Sequence, residues 1–198
     1  MKADWVNKFE KEGTYKETVT DINGNKSEID FMHRLTDIEY YENGDTKAVK
    51  LPYTNGLSMV VVLGDTKNIL NDIHNGKMTS KLVEVTLPKI KAEYSIDYVN
   101  ILKNMGIEKA FDYQNADFSL MLENYPERIK IDFVLQKAMI DVDERGTEAA
   151  AATVALVTKS ALSVDEEVIE FKADKPFTYY ILDDSGNVYF AGRYVKAE

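Results

Sequence analysis

Apolar residues recur along most of this chain in the every-second-residue rhythm of β-strands, and only two stretches have helical spacing. Residues 18–21 and 27–32 flank Asn23-Gly24 and predict a hairpin, because Asn-Gly supplies the left-handed conformers of a tight turn. A second hairpin is predicted from residues 37–41 and 46–51 around Glu42-Asn43-Gly44-Asp45. Residues 57–63 (LSMVVVL) form a continuous apolar run, the pattern of a strand buried on both faces. Ile69, Leu70 and Ile73 mark a helix over residues 68–75 with Gly76 as its cap. Residues 81–94 predict a strand in which Pro88 marks a bend or an edge. A helix is expected over residues 97–105, with Ser95 as N-cap and Gly106 as C-cap. Residues 129–142 (IKIDFVLQKAMIDV) read as a strand, and residues 178–182 and 188–194 as a last hairpin around Asp184-Ser185-Gly186-Asn187.

One segment breaks the rhythm. Residues 143–158 (DERGTEAAAATVALVT) combine four alanines, the best helix formers, with a glycine where a helix would start and β-branched residues downstream. The segment suits neither a committed helix nor a committed strand. Counted in twos, Thr147, Ala149, Ala151 and Thr153 share one face of an extended chain, and all are small and uncharged. Such a face can be buried under a sheet without displacing much core.

Composition narrows the function. The chain has 198 residues, 44% hydrophobic and 29% charged, enough for one large domain or two small ones. A net charge of -10 argues against a nucleic-acid partner. The absence of cysteine removes disulfides, thiolate nucleophiles and cysteine metal sites. No apolar run approaches a membrane span, and the opening MKADWVNKFEKEG lacks the apolar centre of a signal peptide. His33 is expected at a strand end without a partner and His74 on a solvated helix face, so a triad or a zinc site lacks raw material. Asp21, Asn23 and Asn25 imitate the opening of a calcium loop, but Lys26 stands where the glycine belongs and Met32 where the closing glutamate belongs. No metal, no cofactor and no enzymatic activity are expected.

Glu144, Gly146, Thr147, Glu148, Ala149, Ala150, Ala151, Ala152 and Thr153 match nine positions of ten in a Glu-x-Gly-Thr-Glu, alanine run, Thr pattern. This resembles the hinge of the serpin reactive-centre loop. Other stretches resemble the same family in the right order. Lys2, Asp4 and Trp5 are similar to the end of the third strand of its sheet A. VKLPY (residues 49–53) and SMVVVLG (residues 58–64) are similar to the first strands of its sheet B. LPKIKAEYSIDYVNILKNMGIEKAF (residues 87–111), Ala116 to Ser119, FKADKPF (residues 171–177) and the set Phe190, Gly192 and Arg193 follow further family motifs.

The resemblance implies an α+β fold, mostly antiparallel β, with sheets B and C, part of sheet A and few short helices. Residues 1–198 would be the C-terminal portion of a single serpin domain, with a reactive loop near residues 144–168. It implies a serine-protease inhibitor that acts as a suicide substrate, with the missing N-terminal half of the fold, or another copy, as partner. A non-inhibitory, self-associating module is the alternative. The cleaved bond would lie between Ser160 and Ala161, which suits elastase-like or subtilisin-like proteases. A shift of one residue puts Lys159 before the bond and favours a trypsin-like enzyme. Trp5 and Lys89 would belong to the breach, where loop insertion begins, with Lys89 paired to Glu144. Gln136 replaces the family's usual shutter histidine; glutamine can also donate and accept, so the shutter is expected to survive with altered pH sensitivity. An extracellular setting is implied by resemblance alone.

Overall fold

The computed structural model describes residues 2–121, 129–147 and 167–196. The chain divides into two compact units, residues 1–91 with 140–198, and residues 92–139. Its strands are β1 (Ala3–Asp4), β2 (Thr14–Thr20), β3 (Lys26–Asn43), β4 (Thr46–Pro52), β5 (Leu57–Leu63), β6 (Thr79–Pro88), β7 (Ile90–Asp97), β8 (Leu135–Asp143), β9 (Gly146–Thr147), β10 (Ile169–Lys172), β11 (Phe177–Asp183) and β12 (Val188–Tyr194). Two short α-helices, α1 (Ile69–His74) and α2 (Val99–Asn104), and three 3-10 turns complete the described elements.

The strands form two sheets. The larger has the order β10-β6-β3-β4-β5-β11-β12, with β2 also on β3. The smaller has the order β1-β9-β8-β7. Most of the pairing is antiparallel, and β10 runs parallel to β6. The architecture is the expected α+β arrangement, with differences of detail. Residues 27–32 and 37–41, read separately, are one strand of 18 residues. It serves β2 over Lys26–Met32, β6 over Phe31–Tyr40 and β4 over Glu39–Asn43. Phe31 and Met32 are consecutive and both fully buried, which breaks the alternation that would have signalled continuity.

The predicted hairpins are present. Two of their turns follow one recipe. In residues 21–25 and 183–187 an Asp carboxylate accepts the amides of residues i+2 and i+4, and its second oxygen accepts the Asn side chain at i+4. Gly24 and Gly186 both take a φ of 84° at i+3. The calcium-like Asp21-x-Asn23-x-Asn25 run is therefore a turn whose carboxylate is already engaged by its own loop.

The core lies on the larger sheet. Met59, Val60, Val61 and Val62 of β5 are all fully buried, as the apolar run predicts. One face packs Tyr41, Ala48, Val60, Val62 and Leu182 against Ile69 of α1 and Met78. Side chains of this size each contribute about 1.5–3 kcal/mol when taken out of water. Helix α1 ends as predicted: Gly76 N–H bonds to Ile73 O at 3.0 Å and Lys77 N–H to Asp72 O at 3.1 Å, the double bond of a Schellman cap.

Two boundaries differ from expectation. Ser95 lies inside β7, and α2 starts later, where Asp97 Oδ1 accepts the Val99 amide at 3.1 Å. The strand expected from residue 129 begins at Leu135. Val134 instead donates its amide to Asp97 Oδ1 and its carbonyl accepts the Tyr98 amide, so residues just before β8 brace the start of α2.

Gly192 in β12 has a steric reason. A Cβ there would lie 2.3 Å from the Tyr179 ring, which is buried between Phe177 and Phe190. Gly192→Ala is expected to lower stability by about 1–3 kcal/mol, read as a shift of the denaturant midpoint with an unchanged slope.

Candidate functional site

Around Gly146 three strand ends and two aromatic rings converge within the larger unit. The segment from Asp143 to Thr147 turns tightly, with Asp143 Oδ1 accepting the amides of Arg145 at 2.8 Å and Gly146 at 3.2 Å. This turn sets β9 antiparallel to β8, Val142 opposite Thr147 and Asp143 opposite Gly146. On its other side β9 pairs with β1, Ala3 opposite Thr147 and Asp4 opposite Gly146. Gly146 and Thr147 thus stand between two strands, hydrogen-bonded in a sheet.

Gly146 cannot be another residue without rearrangement. Its φ is +149°, and a Cβ would lie 2.1 Å from the Ala3 carbonyl oxygen. Glycine alone allows so close an approach.

Trp5 follows β1 directly and is buried. Its ring stacks on Tyr53 with centroids 4.3 Å apart and meets Phe9 edge-on. Its Nε1–H donates to Asp143 O at 2.9 Å, and its amide donates to Arg145 O at 2.8 Å. Tyr53 in turn shares a hydrogen bond of 2.8 Å between its hydroxyl and Thr147 Oγ1. Burial raises the Tyr53 phenol well above its ordinary range, so the hydroxyl keeps its proton. Behind this group Arg34 lies over the Phe9 ring, its centre 5.7 Å from the centroid, and donates to Asn7 O and Thr36 Oγ1. Burial lowers its guanidinium to about 10, and it stays charged at neutral pH.

The expected ion pair is present: Lys89 Nζ lies 3.0 Å from Glu144 Oε1. Glu144 is 8% exposed and Lys89 39%. Burial pushes the Glu144 carboxyl up, but its own backbone amide and Lys89 outweigh it and hold the group below its ordinary value. Lys89 sits in the single-residue break between β6 and β7, where its amide bonds to Asp30 O at 3.0 Å.

Trp5, Lys89, Glu144, Gly146 and Thr147 therefore meet in one place. Gln136 lies on β8 in the smaller unit with an exposed side chain. Glu148, Ala149, Ala150, Ala151, Ala152, Thr153, Lys159, Ser160 and Ala161 lie outside the described residues. Tyr53 was missed by sequence reasoning. It ends the VKLPY motif, and nothing local indicates that its hydroxyl meets a threonine 94 positions later. His33 is a correction. It lies inside β3 with Glu17 Oε1 at 2.9 Å and Thr86 Oγ1 at 3.1 Å, because β2 and β6 flank it on both sides.

These features define a class. The family model Serpin (serine protease inhibitor) matches residues 1–197, and the chain belongs to that family. An uncharacterized serpin-like protein of Thermococcus kodakarensis is 34% identical, covering 98% of this chain and 47% of its own length. Serpin B11 of Mus musculus is 29% identical over 99% of this chain and 53% of that protein. Among solved structures, the thermophilic serpin Tengpin in its native state matches with TM-score 0.82 and 29% identity, over 98% of this chain and 53% of that one. Cleaved Serpin 42Da matches with TM-score 0.80 and 25% identity, over 100% of this chain and 55% of that one. The chain spans about half the length of the curated relatives it matches. Serpins are in general inhibitors rather than catalysts, and their usual partners are target proteases.

Because the folded Glu144 carboxyl lies below its ordinary value, its ionised form stabilises the fold above the unfolded pKa, and that contribution is lost as pH falls through the folded value. Lys89→Met is expected to cost roughly 1–2 kcal/mol, between the exposed and the buried limits for such pairs. Acid unfolding should also begin at a higher pH, as followed by circular dichroism.

Proposed function

We propose that this chain carries the reactive-loop portion of an inhibitory serpin and works as a suicide substrate once the N-terminal half of the fold is supplied. The observation that carries this reading is the position of β9. Gly146 and Thr147, residues of the matched hinge, already sit between β8 and β1, which is the start of the path an inserting loop would take. The alternating small residues Ala149, Ala151 and Thr153 would continue that strand with little volume to bury.

The target protease would attack the carbonyl carbon of Ser160 with its serine Oγ. The Ser160–Ala161 peptide bond breaks, the Ala161 amine leaves with a proton, and Ser160 remains esterified to the protease. Insertion of the freed loop as a new strand then releases stored free energy and carries the protease along. Small residues at the bond favour elastase-like or subtilisin-like targets; cleavage after Lys159 would point to a trypsin-like one. The chain supplies no catalytic group in this scheme, since the bond broken is its own.

A need for a partner is supported by the smaller unit. Tyr94, Met105, Tyr113, Leu120, Met121 and Phe133 are all more than half exposed there. Apolar surface of this kind marks an interface. The length of the relatives points to the other half of the fold as its cover. Self-association through the same surface is the second reading.

Incubation with elastase, subtilisin and trypsin, in the presence of the N-terminal half, should give a denaturant-resistant covalent complex with one of them. Mass analysis of the released peptide locates the bond at Ser160 or Lys159. Thr147→Arg places a charge against Tyr53 and should convert the inhibitor into a substrate that is cut without trapping the protease. Retained inhibition in that variant would refute the hinge reading, and absence of any complex would favour the self-associating module.

A further inference from the structure

Histidine is the side chain that ordinarily changes charge between about pH 5 and 8, and this chain contains two. His74 is exposed on α1. His33 is built into a row that crosses four strands. From β3 its Nδ1 reaches Thr86 Oγ1 on β6 at 3.1 Å, and its Nε2 lies 2.9 Å from Glu17 Oε1 on β2. Its ring stacks on Tyr15, also of β2, at 4.1 Å and 3°. The other oxygen of Glu17 holds Lys172 Nζ from β10. One carboxylate thus serves an imidazole and an ammonium from different strands. Asp174 and Glu170 add further negative charge near Lys172.

Strand β10 needs such a hold. It is four residues long, lies at the end of its sheet and, among the described residues, pairs only with β6, in parallel. Beyond it, Ala173 N–H bonds to Thr86 O and Thr20 N–H to Asp174 O, each at 2.9 Å. A short parallel edge strand has little ladder to keep it in place.

We propose that Glu17 and Lys172 form a latch on β10 and that the charge of His33 sets its strength. With a neutral imidazole, Nδ1 accepts from the Thr86 hydroxyl and Nε2 lies beside Glu17 without adding a charge. Glu17 then balances Lys172 alone. After protonation, two cations share one carboxylate, and the imidazolium repels the ammonium. Glu17 and His33 are each less than a fifth exposed, so salt screens this repulsion weakly. Acid therefore loosens β10. The device does not depend on loop insertion. It gives the chain a titratable control at a position other than Gln136.

Hydrogen-exchange protection of residues 169–172 on the intact chain, corrected for intrinsic rates, tests this at about pH 7.5 and 5.5, the two sides of the imidazole range. Protection should fall about threefold at the lower pH, the size of a partly screened charge pair, while β5 amides stay unchanged. His33→Gln should abolish the pH response. In Lys172→Met the response should also vanish. Protection of β10 that is constant or rises on acidification overturns the proposal. So does the same response in His33→Gln or in Lys172→Met. If His33→Gln does not fold, the response of Lys172→Met decides alone.

Discussion

The contact between Gly146 and the Ala3 carbonyl is the constraint on which the site depends. With no side chain at Gly146, β1 and β9 come together, and the rest follows from that approach. Trp5 then lands on Tyr53, its indole N–H reaches the Asp143 carbonyl, and Thr147 arrives under the Tyr53 hydroxyl. The rings give shape and burial; the hydrogen bonds fix orientation, because a buried donor left without a partner is costly. Glu144, one residue into the turn, is held by Lys89 from the break between β6 and β7. Three separate parts of the sequence are therefore tied to a turn of a few residues.

How much of this is legible in the sequence depends on the range of the force involved. Local patterns were readable. LSMVVVL announced β5, Asn23-Gly24 and Gly186 announced their turns, and Gly76 announced the end of α1. The hinge run from Glu144 to Thr147 and the Lys89–Glu144 pair were reached through family resemblance, and the geometry contains both the turn and the pair. What stayed hidden was decided by partners far away in the chain. His33 looked solitary because Glu17 and Thr86 come from other strands. Tyr53 looked like an ordinary strand residue because Thr147 is remote. Ser95 has the right chemistry for a helix cap, yet strand pairing took it, and Asp97 received the role.

The two units differ in how they satisfy their apolar residues. In the larger, Phe31, Phe171 and Val61 are fully buried, while Tyr15, Leu35 and Tyr189 on its strands stay about half exposed or more. In the smaller, Phe111 is buried while Leu120, Met121 and Phe133 face outward. Sequence periodicity cannot separate these cases, since an apolar stripe looks the same whether its cover is in the same chain or elsewhere.

The unbroken run of β3 has a consequence for the order of assembly. Its flank from Phe31 to Tyr40 bonds to β6, which ends at Pro88. As the polypeptide is made from its amino end, this flank waits while β4, β5 and α1 emerge. The newborn molecule therefore passes through an interval in which a long template for strand addition lies open.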